Sequence, residues 1–365
     1  MTTYLYIFCE IISLIFLKFS VSVDSKMTKK VFFILALLPF STLFYIRGIN
    51  VGTDYKAYSK VYLSIVDGTL TMAQKDWVGI GFIYICKFLS VFFERKYFLA
   101  YALINIITLF LIVKTIVDLS NYPTMSLFIF FSFCLHFQIF NQFRQMMAIA
   151  IVFWSYRYIK ERDIKKFLIT ILIASIFHRT ALILIPFYWI VEVPVNAKNI
   201  FIWITIAIIL YFGFDKVMSL LMYTYYGRIY YGGRYDVVQA SSKLNFIIRV
   251  IMLTISLLFY KKVKNKNPQD KYLYILVIIC TLTQVTAMRS YIFARITTYF
   301  FIFYILLLPD VIAVIFKSKK SKILLYYVVI LVLCLYQYVY YNSSSGASGG
   351  GYTVFSVRNT DISEL

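Results

Sequence analysis

The residues with the type and spacing to do chemistry lie in two short polar islands, Asn141-Gln142-Phe143-Arg144-Gln145 and Phe177-His178-Arg179-Thr180. Both interrupt sequence that otherwise reads as lipid-buried helix. An arginine near the centre of a bilayer costs at least about 2.5–3.5 kcal/mol, so such residues normally face a cavity and serve a ligand there. The guanidinium is always charged and its fork matches phosphate oxygens, which makes Arg144 and Arg179 candidate phosphate ligands. Arg249, Arg289 and Arg295 are candidates for the same role. The competing reading, strongest for Arg249, is a side chain snorkelling from a helix end to lipid headgroups. His178 titrates near neutrality and suits a general base, but it equally suits a neutral cap on a broken helix. Asp54, in the turn Gly52-Thr53-Asp54-Tyr55, either accepts a hydroxyl proton or caps the helix that follows. His136, in an aromatic run, is read as structural.

The elements that must position these groups are membrane helices. The 365 residues are 61% hydrophobic and 20% aromatic, outside the range of ordinary soluble domains. Apolar runs of about 16–20 residues, long enough to cross the hydrocarbon as helix, recur from end to end. Strict alternation is absent, which argues against an outer-membrane barrel. The expectation is an all-α, polytopic integral membrane protein with about 11–13 transmembrane helices. The apolar N-terminal stretch has no basic segment before it and reads as a first span.

The net charge of +21 would suggest nucleic acid in a soluble protein. Here the basic residues bunch in short loops, at 26–30, 157–166, 261–271 and 317–322. That is the positive-inside pattern, so no nucleic-acid partner is expected. Five single cysteines lack metal or disulfide spacing and read as small core residues. No metal cluster, P-loop or Ser-His-Asp order appears, so neither a metal nor a cofactor is expected.

Fixing the basic loops as cytoplasmic makes 1–341 one polytopic membrane domain, followed by a flexible Gly/Ser-rich tail at 342–365. Two long extracytoplasmic loops follow, at 47–96 and 219–243. Within the first, 79–93 must be a short interfacial or re-entrant helix for the charge parity to hold. The second interleaves Gly and Arg with Tyr225, Tyr226, Tyr230 and Tyr235. These aromatics suit sugars, although most tyrosines in such a chain form the interfacial belt. The arms 164–177 and 180–191 are too short for full spans, so the His178-Arg179 turn should sink below the outer surface.

Three elements in order resemble the EpsG family of bacterial exopolysaccharide proteins, a group similar to Wzy-type polysaccharide polymerases. They are Gly52-Thr53-Asp54-Tyr55 with Tyr58, Arg144-Gln145 followed by Met146 to Ile151, and Lys166-Phe167 leading to Phe177-His178-Arg179-Thr180-Ala181. Members often carry an acid in a Glu-Pro-Gly segment after the Asp motif. Val78-Gly79-Ile80-Gly81-Phe82 keeps the glycine and aromatic without it, leaving Asp54 or Asp76 to serve.

The resemblance implies polymerisation of undecaprenyl-diphosphate-linked oligosaccharide repeats, for exopolysaccharide, capsule or O-antigen, at the outer leaflet of the inner membrane. It also implies an architecture like the C-type glycosyltransferases, with juxtamembrane helices in the first outer loop. Asp54 and His178 are then the catalytic candidates, with Arg144, Gln145, Arg179, Arg289, Arg295 and Tyr55 contacting substrate. A flippase and a chain-length regulator are the candidate protein partners. Two other readings stay open, a flippase-like exporter of the lipid-linked repeat and a polysaccharide acyltransferase.

Overall fold

The computed structural model describes residues 2–52, 54–221, 223, 243–315 and 318–342. Helices α1 (Thr2–Ser22) and α2 (Lys26–Ile46) form a hairpin. Its turn is fixed by Ser25, whose side chain accepts from Thr28 N and caps α2, and by Ser20 Oγ donating to Lys29 O at 2.9 Å. Three shorter helices follow, α3 (Tyr55–Val66), α4 (Met72–Val78) and α5 (Ile80–Phe93). A capping box between Thr71 and Gln74 starts α4. Then come α6 (Tyr97–Leu119), α7 (Pro123–Ser132), α8 (Leu135–Asn141), α9 (Phe143–Glu161) and α10 (Ile164–Phe177). A 3₁₀ turn at Arg179–Leu184 leads to α11 (Phe187–Ile190), α12 (Ala197–Phe212) and α13 (Phe214–Leu221). The last set is α14 (Lys243–Leu258), α15 (Tyr260–Lys266), α16 (Lys271–Ala287), α17 (Tyr291–Phe301), α18 (Tyr304–Ile315) and α19 (Lys319–Asn342).

The described residues contain no β-strand. Among the described residues, five helices are long and apolar enough to cross a membrane, or up to nine spans if each of four bent pairs is counted as one. A bilayer offers no water to unsatisfied backbone groups, so uninterrupted helix is the favoured way across it. The chain is an all-α, multi-pass membrane protein. The larger number of spans expected from hydropathy reflects broken and short helices. The run 123–141 bends by 61° between α7 and α8, where Cys134 adopts φ +56. The pair Phe293–Phe301 and Tyr304–Ile315 bends by 48°, and Arg179–Ile190 and Ala197–Phe212 are short apolar helices.

Contacts divide the chain into two compact units. The first comprises the described parts of Met1–Arg157, Lys165–Leu182 and Ser318–Leu365. Its core is aromatic: His136 is fully buried between the Phe40, Phe131 and Phe137 rings, with Nε2 3.3 Å from Glu10 Oε1. Gln337 on α19 donates to the same carboxylate at 2.8 Å. This is the structural setting expected for His136. Four cysteines are buried, and Cys334 is exposed on α19.

The second unit comprises Tyr158–Ile164 and the described part of Ile183–Lys317. Helix α16 is apolar on every face and buried from Tyr272 to Thr281, as expected of a helix surrounded by others. It packs against α12, α14, α17 and α18. The aromatic loop with Tyr225, Tyr226, Tyr230 and Tyr235, like the tail after 342, lies outside the described residues.

Candidate functional site

The two polar islands meet inside the first unit, at the bend between α4 and α5. These helices turn by 98° across Gly79, the geometry of a broken span or a re-entrant loop. Arg144, in the first turn of α9, pins one side of that bend. Its Nη1 donates to Val78 O at 2.5 Å and its Nη2 to Trp77 O at 3.3 Å. Its Nε donates to Tyr58 Oη at 2.9 Å. The residue is 7% exposed, walled by the Tyr58, Trp77 and Phe82 rings. Three of the guanidinium's five N–H groups are therefore committed to the protein, while its charge stays at the bend.

Arg179 comes from the other side. Gly79 has φ +77, a region that L side chains rarely adopt, and a Cβ there would stand 3.5–3.7 Å from the Arg179 guanidinium. Gly81 makes the approach of the two helices feasible, because its Cβ would lie 2.6 Å from Ile176 O on α10. Helix α10 ends at Phe177, with His178 N still bonded to Ala174 O and Ala181 N to His178 O. His178 Nδ1 shares a 2.5 Å hydrogen bond with Thr180 Oγ1, so both side chains stay at the turn. The break expected at 178–179 is present, and it brings the second island against the α4/α5 bend.

The Asp54 turn is held by the same segment that carries Arg144. Asn141, the last residue of α8, accepts from Asp54 N through Oδ1 at 2.7 Å. Arg144 begins its work three residues later, beyond the short break at Gln142. Asp54 occupies the position before α3, and its side chain makes no capping hydrogen bond to that helix. Tyr58, one turn further along α3, stacks on Trp77 at 4.8 Å and 20° while accepting from Arg144. The residues 141–144 thus fasten the start of α3 with one hand and the α4/α5 bend with the other.

Tyr55 is 1% exposed and lies under Arg47, whose Cζ is 3.6 Å from its ring centroid. Gln145 is likewise buried. Sequence reasoning gave no role to Arg47, which is 1% exposed and donates from Nη1 to Phe140 O at 2.5 Å. It follows a hydrophobic span and looks like an ordinary flanking cation. Only the packing of α3 and α8 over it reveals a clamp. A glycine-aromatic segment such as Val78-Gly79-Ile80-Gly81-Phe82 was the visible trace of the bend.

Arg289 and Arg295 belong to the second unit. Arg289 donates from Nη2 to both Asp215 oxygens at 2.8 and 3.0 Å and from Nη1 to Tyr211 O at 3.1 Å. Its fork is occupied by a carboxylate. Arg295, on α17, is half-buried.

A model of the EpsG family matches residues 30–354, a stretch that contains the Asp54 turn, the α4/α5 bend and both islands. The chain belongs to the EpsG family. No curated protein and no solved structure matches it. Family membership suggests a polysaccharide-polymerase-like function. Among the described residues, no group of three or more His, Cys, Asp or Glu side chains is arranged to hold a metal ion.

Proposed function

We propose that this EpsG-family protein polymerises lipid-linked oligosaccharide repeats at the outer leaflet of the bacterial inner membrane. The donor is a growing chain on undecaprenyl diphosphate and the acceptor is the next lipid-linked repeat. The observation that carries the reading is the meeting of Arg144 and Arg179 at one helix bend, with the Asp54 turn fastened to the same segment. Glycosyl transfer from a diphosphate develops negative charge on the leaving group. Fixed cations in a site of low dielectric stabilise that charge with little reorganisation.

In this scheme Arg179 contacts the diphosphate. Arg144 adds its charge and keeps the bend in shape. Asp54 takes the proton of the acceptor hydroxyl as it attacks, and His178 orients the acceptor or shares that proton transfer. A flippase that delivers the repeats and a chain-length regulator are the expected functional partners.

The test is glycan length in a deletion strain complemented with Arg179→Gln or Asp54→Asn, with membrane abundance measured alongside. The expected result is loss of polymer and accumulation of single repeats at the outer leaflet. Polymer of wild-type length from both variants would refute the assignment. Single repeats trapped at the inner leaflet would instead mark an exporter.

A further inference from the structure

Helix α19 is held to the first unit by a polar hub. Among its described side chains only Gln337 and Tyr341 are buried. They stand four residues apart, on one helix face, and both end on Glu10 of α1. Gln337 Nε2 donates to the two carboxyl oxygens at 2.8 Å, and Tyr341 Oη donates to Oε1 at 3.4 Å. Glu10 is itself buried, near the middle of a helix long and apolar enough to cross a membrane. An ionisable group is costly there and is normally kept for a use. Among the described residues no lysine or arginine pairs with Glu10; its partner at ion-pair distance is His136, with Nε2 3.3 Å from Oε1. Neither ring nitrogen of His136 makes a hydrogen bond.

His136 lies on α8, a helix of seven residues between two breaks, the left-handed Cys134 and Gln142. The other end of α8 holds the candidate site: Phe140 O accepts from Arg47, and Asn141 Oδ1 accepts from Asp54 N at 2.7 Å. Helix α1 grips α8 along the way, with the Tyr6 ring edge-on to Phe137 at 4.9 Å and to Phe140 at 6.1 Å. A short helix bounded by breaks moves as one piece, so a pull on His136 is felt at Asn141, about 7.5 Å further along the axis. A buried carboxyl deprived of Gln337 keeps its desolvation cost. His136, at 3.3 Å, is the nearest polar group left to lessen it, and closing that gap draws α8 toward α1.

We propose that Glu10 and Gln337 are positioning residues for the Asp54 turn. Together they keep α8, through His136, in the place from which Asn141 fastens Asp54. The last described helix of the chain thereby sets the position of a turn near its start. That this turn serves glycosyl transfer rests on the polymerase reading; the hold of Glu10 on it does not.

The experiment is hydrogen exchange of the purified full-length protein, read at the Asp54 amide, across α6 and across α19. Gln337→Leu should speed exchange at Asp54 by about tenfold and leave α6 unchanged, and Glu10→Leu should do the same. Wild-type exchange at Asp54 in both variants would overturn the proposal, even with faster exchange across α19, because the hub would then anchor that helix alone. Acceleration of α6 as large as that at Asp54 would mark general loosening and would equally overturn it. Should neither leucine variant fold, His136→Phe decides. It keeps an aromatic ring among Phe40, Phe131 and Phe137 and removes the nitrogen that faces Glu10. It should speed Asp54 exchange by about threefold or more, and wild-type exchange there would sink the positioning role. Exchange is read without polymer synthesis, so a failed polymerase assay sinks the other reading and leaves this one standing.

Discussion

Replacing Gly81 by alanine tests the geometry that joins the two islands. The added Cβ would stand 2.6 Å from Ile176 O, 2.9 Å from Ile176 Cγ2 and 3.1 Å from Ile176 Cα. A carbon-to-carbonyl-oxygen contact normally settles at about 3.3–3.6 Å, so α5 and α10 must part by roughly 0.7 Å. Overpacking of this kind typically costs about 1–3 kcal/mol. The same displacement draws the end of α10, and Arg179 with it, away from Gly79. In active sites a shift of about 1 Å can reduce turnover by about a hundredfold. Gly81→Ala should therefore lower the unfolding temperature of the purified protein and shorten or abolish its polymer in a complemented deletion strain. A second substitution identifies the cause. Ile176→Ala removes the Cγ2 contact but leaves the 2.6 Å contact with the backbone oxygen, so it should not rescue Gly81→Ala. Full rescue, or a Gly81→Ala protein with unchanged stability and polymer, would refute the reasoning.

Three further outcomes follow from particular contacts. Arg144→Lys keeps the charge but cannot reproduce donation to Tyr58, Val78 and Trp77; it should destabilise by about 2 kcal/mol or more and raise protease cleavage within 72–79. Asn141→Ala removes the acceptor for Asp54 N; it should reduce polymer output about tenfold, the equivalent of about 1.4 kcal/mol, while Asn141→Asp, which keeps an acceptor oxygen, should retain more. Glu192 accepts from Tyr272 Oη at 2.7 Å and Lys271 Nζ at 3.0 Å, and the Tyr272 bond, then the Lys271 bond, hold its carboxyl below the ordinary range. A depressed folded-state value means that its stabilisation is present above the ordinary carboxylate pKa of about 4.3 and fades as the pH falls below it. The group is well solvated, so the effect should be under about 1 kcal/mol: melting temperature should fall slightly more on acidification in the wild type than in Glu192→Gln.

Sequence by itself determined the class of this protein and the places where its helices break. Long apolar runs specify membrane helices because a bilayer penalises unsatisfied backbone groups. Polar islands at 141–145 and 177–180 stood out because charge is costly there, and both mark breaks, at Gln142 and at His178. Tertiary structure alone decided what the arginines do. Arg47, Arg144, Arg249 and Arg289 carry the same group in similar apolar surroundings. One grips a carbonyl beneath Tyr55, one pins a helix bend, one keeps a sealed nitrogen without an acceptor and one is neutralised by Asp215. A guanidinium's partners are chosen by which distant carbonyl, hydroxyl or carboxylate the packing brings within about 3 Å. Those partners lie 66 residues away for the Arg144–Val78 bond and 93 for the Arg47–Phe140 bond, beyond the reach of any local pattern.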